Sequence, residues 1–215
     1  MKLNKFIDHT LLKADASKAE IEKLCAEAKQ YDFASVCVNP YYISLCKQLL
    51  SGTTVKVCTV IGFPLGQMTT KAKVAEAIDA CANGASEVDM VLNIAALKAG
   101  DLDYVTNEIT RIHEAVKAQG AILKVIIETC LLSQQDKINA CKCVSDAQAE
   151  FIKTSTGFST AGATVQDVAL MKKHVAPSVK IKAAGGIRSK QDALDMINAG
   201  ASRLGTSKGI MLVKD

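Results

Sequence analysis

The sequence predicts an α/β protein, a (βα)8 TIM barrel forming one compact domain over residues 1–215. Three observations carry this expectation. Eight short runs rich in Val and Ile alternate with helix-forming stretches, the pattern of repeated parallel βαβ units. The strand runs are apolar almost throughout, as strands buried on both faces are. No Pro/Ser-rich linker or charge block divides the chain. An open doubly wound sheet is the alternative, but no GxGxxG turn follows the first strand as a dinucleotide site would require.

The strand runs fall at residues 5–8, 34–38, 55–61, 87–93, 122–128, 151–154, 179–183 and 203–205. Their β-branched side chains suit an extended, packed backbone. Helical stretches follow at 18–31, 41–50, 69–82, 102–119, 134–146, 165–174 and 190–199, with a short one after Lys208. Apolar residues there recur at three- and four-residue intervals, as in KAEIEKLCAEAKQ, and leave Lys and Glu facing solvent. Asp101, Thr164 and Ser189 stand where a side-chain oxygen accepts the free N–H groups of a first helical turn. Gly84 and Gly200 each end a helix and lead into a strand, the place of a left-handed cap. The segments around them, ANGAS and NAGAS, echo each other about half a chain apart, as in a duplicated half-barrel.

Composition excludes several classes of function. The chain is 49% hydrophobic, yet no apolar run approaches the ~18 residues of a membrane span. The N-terminal MKLNKFIDHTLLKAD interrupts its apolar positions with Asp8, His9 and Lys13, unlike a signal peptide, so a cytoplasmic protein is expected. A net charge of +4 and 4% aromatic content supply neither the basic field nor the stacking platforms of a nucleic-acid binder. The eight cysteines lie mostly inside apolar runs such as SVCVNP and VKVCTVIGFP, where a reduced thiol packs as a small hydrophobe. No CxxC pair occurs, and His9, His113 and His174 form no ligand pair; His113 and His174 are expected to be solvated. No metal and no cofactor are expected.

In such a barrel the active site is built from the C-terminal strand ends and the loops after them. That rim gathers Asp8, Thr10, Cys37, Asp89, Lys124, Glu128, Lys153, Thr156, Gly157, Lys182, Gly185, Gly186, Gly205 and Ser207. Lysines are out of place in strands, yet Lys56, Lys124, Lys153, Lys180 and Lys182 occupy or end strand runs. A barrel strand offers its side chains only the interior or the apolar seam beneath the helices, where an unpaired ammonium is costly. Alternation puts Lys124 on one face with Ile126 and Glu128, and Lys180 on one face with Lys182. Asp89 likewise shares a face with Val91 and Asn93.

Several lysines and an aspartate on one rim suit Schiff-base chemistry. A free lysine amine has a pKa near ~10.4, so only about one in 2,500 is neutral at pH 7, and a second ammonium nearby raises that fraction. Lys153 and Lys182 end neighbouring strands, and Asp89 lies across the ring to shuttle protons directly or through a water. Glycine-bearing turns after the seventh and eighth strands, at Gly185, Gly186 and Gly205, occupy the usual phosphate site of the fold.

These residues lie in motifs that resemble the deoxyribose-phosphate aldolases over essentially the full length. The motifs are IDHTLL (7–12), SVCVNP (35–40), the GFP turn with Gly66, EVDMVLNI (87–94), LKVIIET (123–129), FIKTSTGF (151–158), VKIKAAGGIR (179–188) and GASRLGTS (200–207). The resemblance implies a metal-independent class I aldolase that cleaves 2-deoxy-D-ribose 5-phosphate to D-glyceraldehyde 3-phosphate and acetaldehyde. Lys153 would form the Schiff base, Lys182 would lower the pKa of Lys153, and Asp89 would move protons. Asp8, Thr10, Cys37 and Lys124 would line the site; Thr156, Gly157, Gly185, Gly186, Gly205 and Ser207 would hold the substrate and its phosphate. A homodimer or higher homo-oligomer is implied too.

The sequence departs from the family pattern at three places. Phe158 stands where some relatives carry a lysine near the phosphate, Lys208 where a second serine is common, and Ala161 where many have glycine. Lys208 either restores the missing charge or is a solvated helix residue. From the residues alone, another Schiff-base aldolase or a non-catalytic sugar-phosphate binder are the alternatives.

Overall fold

The computed structural model describes residues 3–214; the first two residues and the last of the expected domain lie outside them. Eight parallel strands close into a barrel in chain order: β1 (Ile7–Leu11), β2 (Ser35–Val38), β3 (Lys56–Ile61), β4 (Glu87–Val91), β5 (Ile122–Ile126), β6 (Phe151–Lys153), β7 (Lys180–Ala184) and β8 (Arg203–Thr206), which pairs back onto β1. Around them run α1 (Lys18–Gln30), α2 (Ile43–Leu49), α3 (Thr70–Asn83), α4 (Ile94–Lys98), α5 (Leu102–Ala118), α6 (Gln134–Asp146), α7 (Val165–His174), α8 (Lys190–Asn198) and α9 (Gly209–Val213).

Helix ends form as their sequences dictate. Asp101, Thr164 and Ser189 each accept the backbone N–H three residues on, and Ser17, Ser133 and Ser189 complete reciprocal capping boxes. Gly84 and Gly200 take φ of 116° and 118°, a region that favours glycine, and each lies beneath a lysine of the preceding helix, Lys47 and Lys172 respectively. The two echoing glycines therefore share a left-handed backbone and a lysine side chain against it.

The main apolar core lies outside the barrel wall. Val36, Val57, Val88, Val125, Ile152, Ile181 and Leu204 pack against helix residues such as Ile21, Ile109, Val144 and Val168. Barrels of this fold usually fill their interior with layers of four side chains from alternate strands, mostly bulky and apolar. Here the register gives a lower layer of Ser35, Glu87, Phe151 and Arg203, a middle one of Asp8, Cys58, Lys124 and Lys182, and an upper one of Cys37, Asp89, Lys153 and Gly205. The interior is largely ionic. That is why lysines occur in otherwise apolar strands.

Several boundaries differ from expectation, and each shifts a side chain. β1 runs from Ile7 to Leu11, because residues Asn4–Phe6 form a 3-10 turn, so Asp8 lies within the strand rather than at its end. β4 stops at Val91, and Asn93 accepts the Ala96 N–H to cap the unforeseen α4. β5 stops at Ile126, leaving Glu128 in a left-handed turn at φ 53°. Lys56 and Lys180 open their strands at the opposite, N-terminal mouth and are exposed; Lys180 lies 5.8 Å from the Phe151 ring centroid. His113 is buried, not solvated, because it faces β5 and pairs with Glu150 at 3.1 Å.

Candidate active site

The ionic layers converge on Asp89. Its Oδ1 takes the Lys124 ammonium at 2.8 Å, while its Oδ2 takes both Lys153 at 2.8 Å and Lys182 at 2.7 Å. Two lysine nitrogens on one oxygen lie within the ~4–6 Å over which charges shift each other's protonation. Beneath, Asp8 pairs with Lys182 at 2.5 Å and with Arg203 at 2.6 Å, and accepts the Ser35 hydroxyl at 2.7 Å. Glu87 joins Lys124 at 2.7 Å to Arg203 at 3.0 Å. Four cationic side chains thus face three carboxylates. The set becomes neutral when one lysine releases its proton.

Burial works against ionising Asp8 and Asp89, but their cationic neighbours outweigh it and hold both carboxyls well below the usual range: Lys182, Lys124 and Arg203 around Asp8, Lys124, Lys153 and Lys182 around Asp89. Burial likewise disfavours the Lys182 and Lys124 ammonium groups, and again the carboxylates prevail, Asp8 and Asp89 for Lys182 and chiefly Asp89 for Lys124. Both lysines are held protonated above the ordinary lysine range.

Above this cluster opens a cavity of about 360 Å³ walled by the loops after β1, β6, β7 and β8. Lys153 is the only member of the cluster that reaches it. Lys13, Arg188 and Lys208 also line it, and among the described residues no carboxylate does. The cavity suits an anion. The loops are closely fitted, for a Cβ on Gly162 would stand 2.3 Å from the Gly185 carbonyl carbon, and Gly185 and Gly186 both take φ 79°.

A family model described as DeoC/LacD family aldolase matches residues 3–212. The chain belongs to the DeoC/LacD family of aldolases. A deoxyribose-phosphate aldolase of Brevibacillus brevis is 57% identical over 99% of this chain and 96% of its own length. One from a Thermoanaerobacter species is 55% identical over 100% and 97%. The tetrameric deoxyribose phosphate aldolase of Aeropyrum pernix superposes with a TM-score of 0.92 at 33% identity, over 98% of this chain and 89% of that one.

Within this DeoC/LacD barrel the residues singled out from the sequence divide into two sets. Thr10, Lys153, Thr156, Gly157, Gly185, Gly186, Gly205 and Ser207 line the cavity, with Lys208 and the exposed Phe158 beside them. Asp89, Lys182, Lys124, Asp8 and Cys37 lie beneath its floor, fully buried. Cys37 was expected at the rim. It packs instead with Leu12, Cys58, Val60 and Phe63, because its side chain turns into the barrel interior one residue before the end of β2.

Glu87 and Arg203, which tie the lower layer to the site, and Lys13 and Arg188, which line the cavity, are not among the site residues expected from the sequence. The two-residue spacing from Glu87 to Asp89 and from Arg203 to Gly205 was the available signal for the first pair. Cys37, Cys58 and Asp89 bring potential ligand atoms together, as do Asp8, Cys58 and Glu87. The carboxylates in both groups are already paired with ammonium or guanidinium groups, so a divalent ion there would have to displace a buried cation.

Proposed function

We propose that the chain catalyses the reversible cleavage of 2-deoxy-D-ribose 5-phosphate to D-glyceraldehyde 3-phosphate and acetaldehyde through a Schiff base on Lys153. The observation that carries this reading is the pair of lysines on one oxygen of Asp89, of which only Lys153 opens on the cavity. The Lys153 amine, in its neutral form, attacks C1 of the open-chain sugar to give a carbinolamine, which loses water to an iminium ion. The C3 hydroxyl then gives up its proton and the C2–C3 bond breaks. Its electron pair moves into the iminium, leaving an enamine on Lys153 and releasing glyceraldehyde 3-phosphate. Protonation of the enamine carbon and hydrolysis return acetaldehyde and the amine.

Asp89 exchanges protons at the Lys153 nitrogen 2.8 Å away, and Lys182, held cationic, disfavours a second charge beside it. Lys124 and Asp8 fix the positions of Asp89 and Lys182. Thr10 contributes to the cavity wall near the reacting carbon, and Cys37 supports the floor from below. Thr156, Gly157, Gly185, Gly186, Gly205 and Ser207 surround the phosphate end, with Lys13, Arg188 and Lys208 supplying the positive field that Phe158 does not. We read Lys208 as part of the phosphate site because it lines the same cavity.

A cytoplasmic setting is supported by eight cysteines that are all free thiols; no helix among the described residues is long and apolar enough to cross a membrane. Assembly into a homo-oligomer is supported by the tetrameric Aeropyrum relative. The function is tested by following acetaldehyde and glyceraldehyde 3-phosphate release from the purified protein, with dihydroxyacetone phosphate and pyruvate as competing donors in the synthetic direction. Turnover with acetaldehyde as donor supports the reading; turnover only with one of the other donors refutes it.

A further inference from the structure

We propose that Glu128 is a positioning residue for substrate binding: from behind the cavity wall it fixes the loop after β6, through Thr156, in the shape that receives the phosphate end. The proposal rests on the function proposed above. Glu128 is buried and takes φ 53°, a left-handed conformation that is unfavourable for a residue with a side chain. Its carboxylate holds that conformation in place. Both oxygens accept the Thr156 N–H, at 3.2 and 3.4 Å, and Oε2 also accepts the Thr156 hydroxyl. The same hydroxyl accepts the Phe158 N–H at 3.0 Å, so one carboxylate organises residues 156–158.

Glu128 does not line the anion-binding cavity. It faces a neighbouring cleft of about 350 Å³ on the other side of Thr156 and Phe158. A negative charge placed there shapes the wall without meeting the substrate.

Lys153 has separate anchors. Its strand is bonded to β5 and β7, and the next residue, Thr154, exchanges hydrogen bonds through its hydroxyl with the Ala184 carbonyl at 3.3 Å and the Ala184 N–H at 3.1 Å. Removing the Glu128 carboxylate therefore frees residues 156–158 while leaving the Schiff-base lysine seated. The loss falls on substrate affinity more than on imine chemistry.

Two variants separate backbone from carboxylate. Glu128→Gly relieves the left-handed residue and deletes the acceptor, whereas Glu128→Gln keeps the length and one acceptor oxygen. For E128G the KM for 2-deoxy-D-ribose 5-phosphate rises roughly 10- to 100-fold, the cost of a lost charge-assisted hydrogen-bond pair. Its kcat falls by less than KM rises, and borohydride still traps acetaldehyde on it. E128Q recovers part of the affinity. A KM for E128G within twofold of the parent overturns the proposal, as does a loss of acetaldehyde trapping as large as the loss of affinity. If E128G does not fold, Thr156→Val, which exchanges the hydroxyl for a methyl group and so loses its bonds to Glu128 and the Phe158 N–H, gives a smaller KM rise of the same kind; an unchanged KM there overturns the proposal. A parent protein that fails to cleave the sugar phosphate at all overturns the function reading instead.

Discussion

Replacing Lys182 by Met removes one ammonium from the middle of the barrel and leaves a side chain of similar length. Lys182 and Lys153 rest on the same Asp89 oxygen at 2.7 and 2.8 Å, so their charges lie about 5 Å apart and repel by about 3 kcal/mol at an effective dielectric of about 20. That repulsion is relieved when Lys153 presents a neutral amine to the substrate. Without Lys182 the three remaining cations match the three carboxylates, and every remaining cation is paired. The lost 3 kcal/mol corresponds to roughly a hundredfold in kcat/KM at neutral pH. The acid limb of the pH–rate profile should move to higher pH, since a positive charge beside the reacting amine is removed. Asp8 keeps Arg203 at 2.6 Å, so K182M should fold, which thermal melting monitored by circular dichroism checks. Lys182→Arg keeps the charge and should retain the parent's acid limb. A folded K182M with kcat/KM within threefold of the parent and an unmoved acid limb would refute the electrostatic role.

The cavity cations, the carboxylates and the thiols each give a further expectation. Lys13→Ala and Lys208→Ala should each raise KM for the phosphorylated sugar roughly 2- to 5-fold at low salt, the worth of an exposed charge, and less in 0.5 M salt, since salt screens exposed charges. Equal effects on unphosphorylated deoxyribose would contradict a phosphate role. Asp8 and Asp89 are held below the ordinary carboxylate range by the lysines and, for Asp8, Arg203. The stability they contribute is therefore present above the unfolded carboxylate pKa near ~4 and is lost as pH falls below it. Urea melts from pH 7 down to 2 should show that decline, and Asp8→Asn should flatten it in part. In native protein, a thiol reagent should label the half-buried Cys81 and Cys130 quickly and the buried Cys37 only on unfolding; fast labelling of Cys37 by mass spectrometry would contradict the placement.

Much of the fold was legible because parallel barrel strands, buried on their outer face by helices, cannot avoid long Val/Ile runs. The interior was legible for a different reason. Lysine is so costly in a buried strand that Lys124, Lys153 and Lys182 announced partners before Asp8, Glu87 and Asp89 were located. What stayed hidden depended on where the chain leaves each strand. A three-residue 3-10 turn before β1 sinks Asp8 below the rim, and the early ends of β4 and β5 turn Asn93 and Glu128 into a cap and a loop anchor. His113 looked solvated because its helix is polar nearby, but its burial depends on Glu150, distant in sequence. Local pattern did not mark Lys13 or Arg188 as cavity residues, although Arg188 ends the VKIKAAGGIR motif, for only closure of the barrel brings the loops after β1 and β7 to one cavity.

The proposed mechanism requires that Lys153, and not its buried neighbours, forms the covalent intermediate. Borohydride reduction of the protein with 2-deoxy-D-ribose 5-phosphate, followed by peptide mapping, should place a single two-carbon or sugar adduct on Lys153, and Lys153→Met should abolish it. An adduct on Lys182 or Lys124, or full turnover by the Lys153→Met variant, would contradict that assignment.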